Sequence, residues 1–246
     1  MNISIAAETL FFWGTIPITN SIIIAFVISI ALMLFVMIVG GKFKEAPQGI
    51  QNFLELVIDG MYDFVNSITH DRTKSRRFFP VVATIFIFVL FSNLIEVVPG
   101  LGTIGIWGIH NGHRALIPFL RSSSADLNVT IAIAVVAVMS LQIIGIATIG
   151  FAKYASKFFN FHSPILFFVG LLELVSEAAK VVSFSFRLFG NIFAGEVLLT
   201  VVLFLAPYGA PIPFLFLELF VGLVQALVFS MLTLVFLTMA TAEHEH

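Results

Sequence analysis

The chain contains no cysteine, which excludes disulfides, thiolate nucleophiles and cysteine metal sites. Charge is scarce. Only 11% of the 246 residues are Asp, Glu, Lys or Arg, where a soluble domain carries about 25%. No Lys or Arg precedes Lys42, so the basic start of a secretory signal is missing and the first long apolar run is expected to be retained as a span. The net charge is −2 and no basic block is present, which argues against a nucleic-acid partner. His110 and His113 share a loop, but no third ligand lies near them in sequence, so a solvated loop is expected rather than a metal site. No cofactor is expected.

What fills the chain instead is apolar. Hydrophobic residues make up 59% of it, and the mean hydropathy is +1.08. One core could not bury that much apolar surface, so much of it must face lipid. An N-terminal segment, 1–21, leads into a first span at 22–40, which reaches the ~20 residues a crossing needs. Residues 48–68 differ. Ile50, Phe53, Leu54, Val57, Met61, Phe64, Val65 and Ile68 recur at helical spacing, with Asp59, Asp63 and Asn66 between them. That pattern suits an amphipathic helix in the membrane interface, or one packed on other protein. Further spans are expected at 79–98, closed by Pro99-Gly100, and at 128–150, with a Gly- and Ser-rich loop at 100–127 between them. A long helix at 164–205 and a last one at 214–241 flank a proline-rich break at 206–213. The expected fold is an all-α integral membrane domain, 1–246, with about five crossings.

Basic residues orient it. Lys42, Lys44, Arg72, Lys74, Arg76, Arg77, Lys153 and Lys157 fall on one side of such a topology, and Arg114 and Arg121 on the other. The richer side is expected in the cytoplasm, with the N-terminus outside and the C-terminus inside. The remaining two, Lys180 and Arg187, lie within an apolar helix.

That helix is too long to stand upright. Its 42 residues would extend ~63 Å, about twice the ~30 Å hydrocarbon core. It must break, with Gly190 and Gly195 as candidate points, or lie steeply tilted as half of a hairpin with the last helix. Ser176, Lys180, Ser183, Arg187 and Asn191 are three or four residues apart and form one narrow stripe. Glu173 lies ~40° off it, while Glu196 faces the opposite side, ~13 Å along the axis from Arg187. In the last helix Glu218 and Gln225 share a face. An antiparallel turn would bring Glu196 near Glu218 and Arg187 near Gln225.

An arginine at membrane depth costs ~2.5–3.5 kcal/mol on insertion scales and cannot shed its proton. Glu173 and Glu177 lie at poor spacing to pair with Arg187, whereas Lys180 is three residues from Glu177. Glu196 and Glu218 read as a proton relay or as solvated cavity residues. Asp126 and Asn128 open the third span, either as a helix cap or as the lining of an aqueous vestibule. Glu96 and Glu177 are acids to which spacing assigns no functional role.

Residues 183–196 (SFSFRLFGNIFAGE) resemble the signature of subunit a of F-type ATP synthase. Residues 171–176 (LLELVS), 124–130 (SADLNVT), the run from Asn93-Leu94 to Pro99-Gly100, and Gln225 are similar to that family as well. The resemblance extends from Pro17-Ile-Thr-Asn-Ser to the end of the chain. It implies a non-catalytic stator subunit of a proton-transporting complex, whose partners are a c-subunit ring, peripheral-stalk b subunits and the lipid bilayer. It also implies that Arg187 faces a ring carboxylate between two offset half-channels, that Glu196, Glu218, Asn191 and Gln225 line or support the path, and that the two long helices lie nearly flat against the ring. The ring supplies the carrier site, so this chain alone does not decide proton against sodium. A bacterial inner membrane is expected, with the mitochondrial inner membrane as the alternative. Two other classes are weaker. A stand-alone transporter or channel would carry repeats and a broken helix pair. An intramembrane hydrolase would need a base beside Ser183 or Ser185, and no His is near either in sequence.

Overall fold

The computed structural model describes residues 9–13, 16–40, 49–98, 105–110, 113–118, 122–158 and 164–241. Lys42, Lys44, Pro99, Gly100, Arg121 and the Glu-His-Glu-His tail lie outside the described residues. The order is β1 (Thr9–Trp13), β2 (Ile16–Thr19), α1 (Asn20–Gly40), α2 (Ile50–Thr69), α3 (Arg72–Val97), β3 (Gly105–His110), β4 (His113–Pro118), a 3-10 turn (Ser123–Ala125), α4 (Leu127–Ile149), α5 (Phe151–Phe158), α6 (Pro164–Leu205) and α7 (Pro211–Ala240). Five of the helices, α1, α3, α4, α6 and α7, are long and apolar enough to cross a membrane. The protein is an all-α membrane protein with two small β-hairpins.

Four local features depart from the sequence expectations. The 100–127 loop contains an antiparallel hairpin, β3–β4, whose register runs from Gly105 opposite Pro118 to His110 opposite His113. Asn111-Gly112 between the strands is a strong two-residue hairpin signal that an expectation of loop overlooks. A second hairpin, β1–β2, precedes α1. Helix α3 begins at Arg72 rather than near 79, because the Asp71 side chain accepts from the Thr73 and Lys74 amides and caps two basic turns that hydropathy alone misses. Lys153 and Lys157, between the helices expected at 128–150 and 164–205, lie on a short helix of their own, α5.

Helices α3, α4, α6 and α7 form the core around Phe78, Val82, Val89, Leu141, Phe184, Leu188, Phe229, Leu234 and Leu237. Without a hydrophobic drive between helices in lipid, close packing and interhelical hydrogen bonds carry such a bundle. Helices α3 and α4 run antiparallel. Arg77, near the start of α3, donates to Thr148 near the end of α4 at 3.1 Å. At the other end, Ser124, just before α4, donates to Asn93 near the end of α3 at 2.9 Å. Helix α1 buries only Asn20, Ser21, Ile24 and Ile28, leaving its later turns exposed. Helix α2 meets α3 at its C-terminal end, where Val65 is buried and Tyr62 lies edge-on to Phe79. Phe53, Leu56, Val57 and Ile58 stay exposed, as an amphipathic helix against lipid requires.

Candidate functional site

Helix α6 runs unbroken through Gly190 and Gly195 for its 42 residues. It lies antiparallel to α7, as successive contacts show. Lys180 sits over the Phe236 ring at 4.7 Å, Phe184 stacks on Phe229 at 4.7 Å, and Asn191 donates to Gln225 at 3.1 Å. Gly195 lies beside Glu218. The last contact explains the glycine: a Cβ there would stand 2.5 Å from Glu218 Oε1.

The expected stripe is present as a surface. Ser176, Lys180, Ser183 and Arg187 line a groove of about 230 Å³ along α6, walled by Phe184, Leu232 and Phe236. Arg187 itself is exposed. Its Nη2 donates to Ser183 Oγ at a long 3.4 Å, and among the described residues the carboxylate ion pairs involve Lys157 and Lys180 instead. Asn191, one turn on, is half-buried and directed to α7. Gln225 thus pairs with Asn191 rather than with the guanidinium. Its Nε2 is buried without a hydrogen-bond partner. Around Arg187 the outer surface is apolar, with Val182, Phe186 and Leu198 on α6 and Phe220, Val224 and Leu227 on α7 all exposed.

Two polar regions lie on either side of this centre along the hairpin. Toward the α6–α7 turn, Glu218 is only 6% exposed, and both of its oxygens lack hydrogen-bond partners. Glu196 is near enough for its charge to act on Glu218. Beside them, Asn93 donates to the Gly222 carbonyl at 3.1 Å and accepts from Ser124. The Ser122–Asp126 stretch is buried, and Ser122 Oγ, Ser123 Oγ and Asp126 Oδ2 carry no partner. Asp126 Oδ1 caps α4 by accepting from the Asn128 amide at 2.9 Å, while the Asn128 side chain is exposed. Asp126 therefore serves as a cap with one oxygen and leaves the other for a different partner. So many orphaned polar atoms in one place are uncommon in a packed interior.

Away from the turn, a chain of hydrogen bonds joins three helices. The Tyr154 hydroxyl on α5 donates to Gln142 Oε1 on α4. Gln142 Nε2 donates to Glu177 Oε2 at 2.8 Å, and Lys180 Nζ pairs with Glu177 Oε1 at 2.6 Å. Glu173 pairs with Lys157 of α5 at 2.7 Å. Gly145 admits the Tyr154 ring, since a Cβ there would lie 2.6 Å from Cε2. Burial and the nearby Glu177 and Glu173 charges push the Tyr154 hydroxyl up to about 12. This network accounts for Glu177. Sequence reasoning missed Gln142 and Tyr154 in this network, and at the other end it did not anticipate the contacts of Asn93, Ser124 and Gly195. Only Gln142, a lone amide in an apolar span, left a signal there.

A bundle of long apolar helices with a fixed cation on its outer face and polar regions on both sides defines a multi-pass membrane protein of the ion-translocating class. The chain matches the ATP synthase A chain family over residues 21–238, and it belongs to that family. It is 32% identical over 237 residues to ATP synthase subunit a of Moorella thermoacetica, covering 96% of each chain. To ATP synthase subunit a of Syntrophobacter fumaroxidans it is 36% identical over 207 residues, covering 82% of this chain and 76% of the relative. To that of Campylobacter concisus it is 34% identical over 224 residues, covering 89% of each.

Proposed function

We propose that this chain is the ion-conducting stator of its ATP synthase, with two half-paths that meet at Arg187 and no straight route between them. The observation that carries the reading is Arg187 itself: an exposed guanidinium on a polar stripe of an otherwise apolar helix, without a carboxylate of its own among the described residues. A cation that cannot neutralise needs an anion, and a carboxylate on a rotating c ring supplies one. Against lipid that carboxylate stays protonated. Beside Arg187 its charged form is favoured, so it releases its proton. The fixed positive charge also opposes direct leakage across the centre. Each charge moved through 100 mV supplies ~2.3 kcal/mol to rotation.

One half-path runs by Asp126, Glu218, Glu196 and the Asn191–Gln225 pair, and the orphaned polar atoms of Asp126, Glu218 and Gln225 suit a hydrated route. The other follows the groove past Ser183, Lys180 and Ser176, toward Glu173 one turn further along α6, where it pairs with Lys157. The basic residues of α3 and α5 gather at that second end, so it faces the cytoplasm by the positive-inside rule, with the N-terminus outside. The ~63 Å of α6 fits a ~30 Å core only if it slants along the ring. Peripheral-stalk b subunits cover other faces, the exposed later turns of α1 being available. The proton is the favoured cargo, with sodium tested by ion substitution. A broken helix pair of the kind many transporters use is not found in α6 or α7, which are continuous.

The test is ATP-driven acidification in vesicles holding the assembled complex. Arg187→Ala is expected to abolish pumping. Pumping at the unmodified rate in that variant would overturn the reading.

A further inference from the structure

We propose that Glu177 is a positioning residue that holds the Lys180 ammonium away from Arg187, and that Gln142 and Tyr154 hold Glu177 in place. The inference rests on the stator reading above. Lys180 and Arg187 line the same groove, two turns and ~10 Å apart along α6. A lysine side chain is long and flexible. Free to swing toward the C-terminal end of α6, its ammonium would enter the space where Arg187 meets the incoming carboxylate, and two cations would compete for one anion.

The observed geometry prevents that. Glu177 lies on the side of Lys180 remote from Arg187 and draws Nζ to 2.6 Å. The Phe236 ring lies beneath the ammonium at 4.7 Å. The carboxylate does not move freely either, because its second oxygen accepts from Gln142 at 2.8 Å. Gln142 is fixed in turn by the Tyr154 hydroxyl. Gln142 turns its carbonyl to Tyr154 on α5 and its amino group to Glu177 on α6, so a flipped amide would set its oxygen against the carboxylate and lose that bond. The ion pair is largely enclosed, with side chains 16% and 12% exposed, so solvent screens it weakly. Of the other charged groups at this end, Lys157 and Glu173 pair with each other, Arg77 of α3 donates to Thr148, and Arg72, Lys74, Arg76 and Lys153 lie on α3 and α5 rather than along the groove. The α7 wall of the groove is Leu232 and Phe236, without a charge.

The test is a double-mutant cycle on ATP-driven pumping by the reconstituted complex, expressed per assembled complex. Glu177→Gln is expected to lower pumping about five-fold or more, the scale of coupling within one polar network. Its activity should also fall off at a lower pH, because a second cation near the ring carboxylate resists protonation. In a Lys180→Gln background the Glu177→Gln change should add nothing, because no ammonium remains to be held. An equal loss in both backgrounds would overturn the proposal and leave Glu177 as a fastening between helices. So would wild-type pumping and pH dependence in Glu177→Gln. If Glu177→Gln does not assemble, Gln142→Leu keeps the ion pair but removes its anchor, and is read the same way. Arg187→Ala separates the two levels. Pumping that survives there overturns the stator reading, whereas a lost signal there with no Lys180 dependence overturns only this inference.

Discussion

Arg187 could have been buried in an ion pair, and the structure places it outward instead. Its single long bond to Ser183 leaves most of the guanidinium for a partner. One turn away, Asn191 donates to Gln225. Gln225→Leu removes that acceptor and leaves the half-buried Asn191 amide without its partner, a cost of about 1 kcal/mol, the low end for a stranded polar group. We expect a several-fold loss of pumping with the complex still assembled. Asp126 separates two roles within one side chain. Asn caps helices about as well as Asp, so Asp126→Asn should leave thermal stability unchanged and reduce pumping if the carboxylate serves the ion path. Asp126→Ala should also lose about 1 kcal/mol of stability, the usual worth of a cap. Equal pumping in wild type and Asp126→Asn would confine the residue to capping. The stripe of Ser176, Lys180, Ser183, Arg187 and Asn191 was readable because helical period alone puts them on one face. That Asn191, and not Arg187, reaches Gln225 was not readable, because it depends on the interhelical register.

Helices α6 and α7 are held in that register by two kinds of contact. Aromatic packing supplies one, with Phe184 fully buried between Phe229 and Phe236. Phe184→Ala should cost about 2–3 kcal/mol, below the usual range for such a truncation, because lipid removes much of the water-transfer part of the loss. A lowered melting temperature of the detergent-solubilised complex would register it. Close approach supplies the other. Gly195→Ala would force the Glu218 carboxyl to move, and we expect a several-fold drop in pumping with little loss of assembly. Gly190 has open space around it. Both glycines look in sequence like places for a long helix to break. In the folded chain Gly195 serves a neighbouring carboxylate, a reason that lies on another helix and cannot be seen in α6 alone.

At the scale of the whole molecule, the two polar regions occupy opposite ends of the hairpin with Arg187 between them. The region away from the turn carries a pH dependence. Tyr154 is buried, and its hydroxyl is pushed from 10.0 to about 12. A raised acid is stabilising in its neutral form, so that stability is complete below pH 10 and is lost as pH rises toward 12. Tyr154→Phe should abolish the alkaline loss assigned to this group while weakening the hold on Gln142. Thermal melts of the complex across that range would show whether the alkaline slope disappears.

The sequence by itself determined that the chain lives in lipid, that its helices are those of an all-α bundle, and that a costly arginine sits on a polar stripe. These follow from composition and from the 3.6-residue period, which are local properties. It also assigned Lys180 to Glu177, because residues three apart on a helix must be neighbours. Only the tertiary structure decided which residues on different helices meet: Gln142 with Glu177, Asn93 with the Gly222 carbonyl, Gly195 with Glu218. Those contacts depend on the rotation and offset of each helix against the next. Lipid-facing sequences specify these weakly, because apolar residues suit both the lipid and the bundle interior.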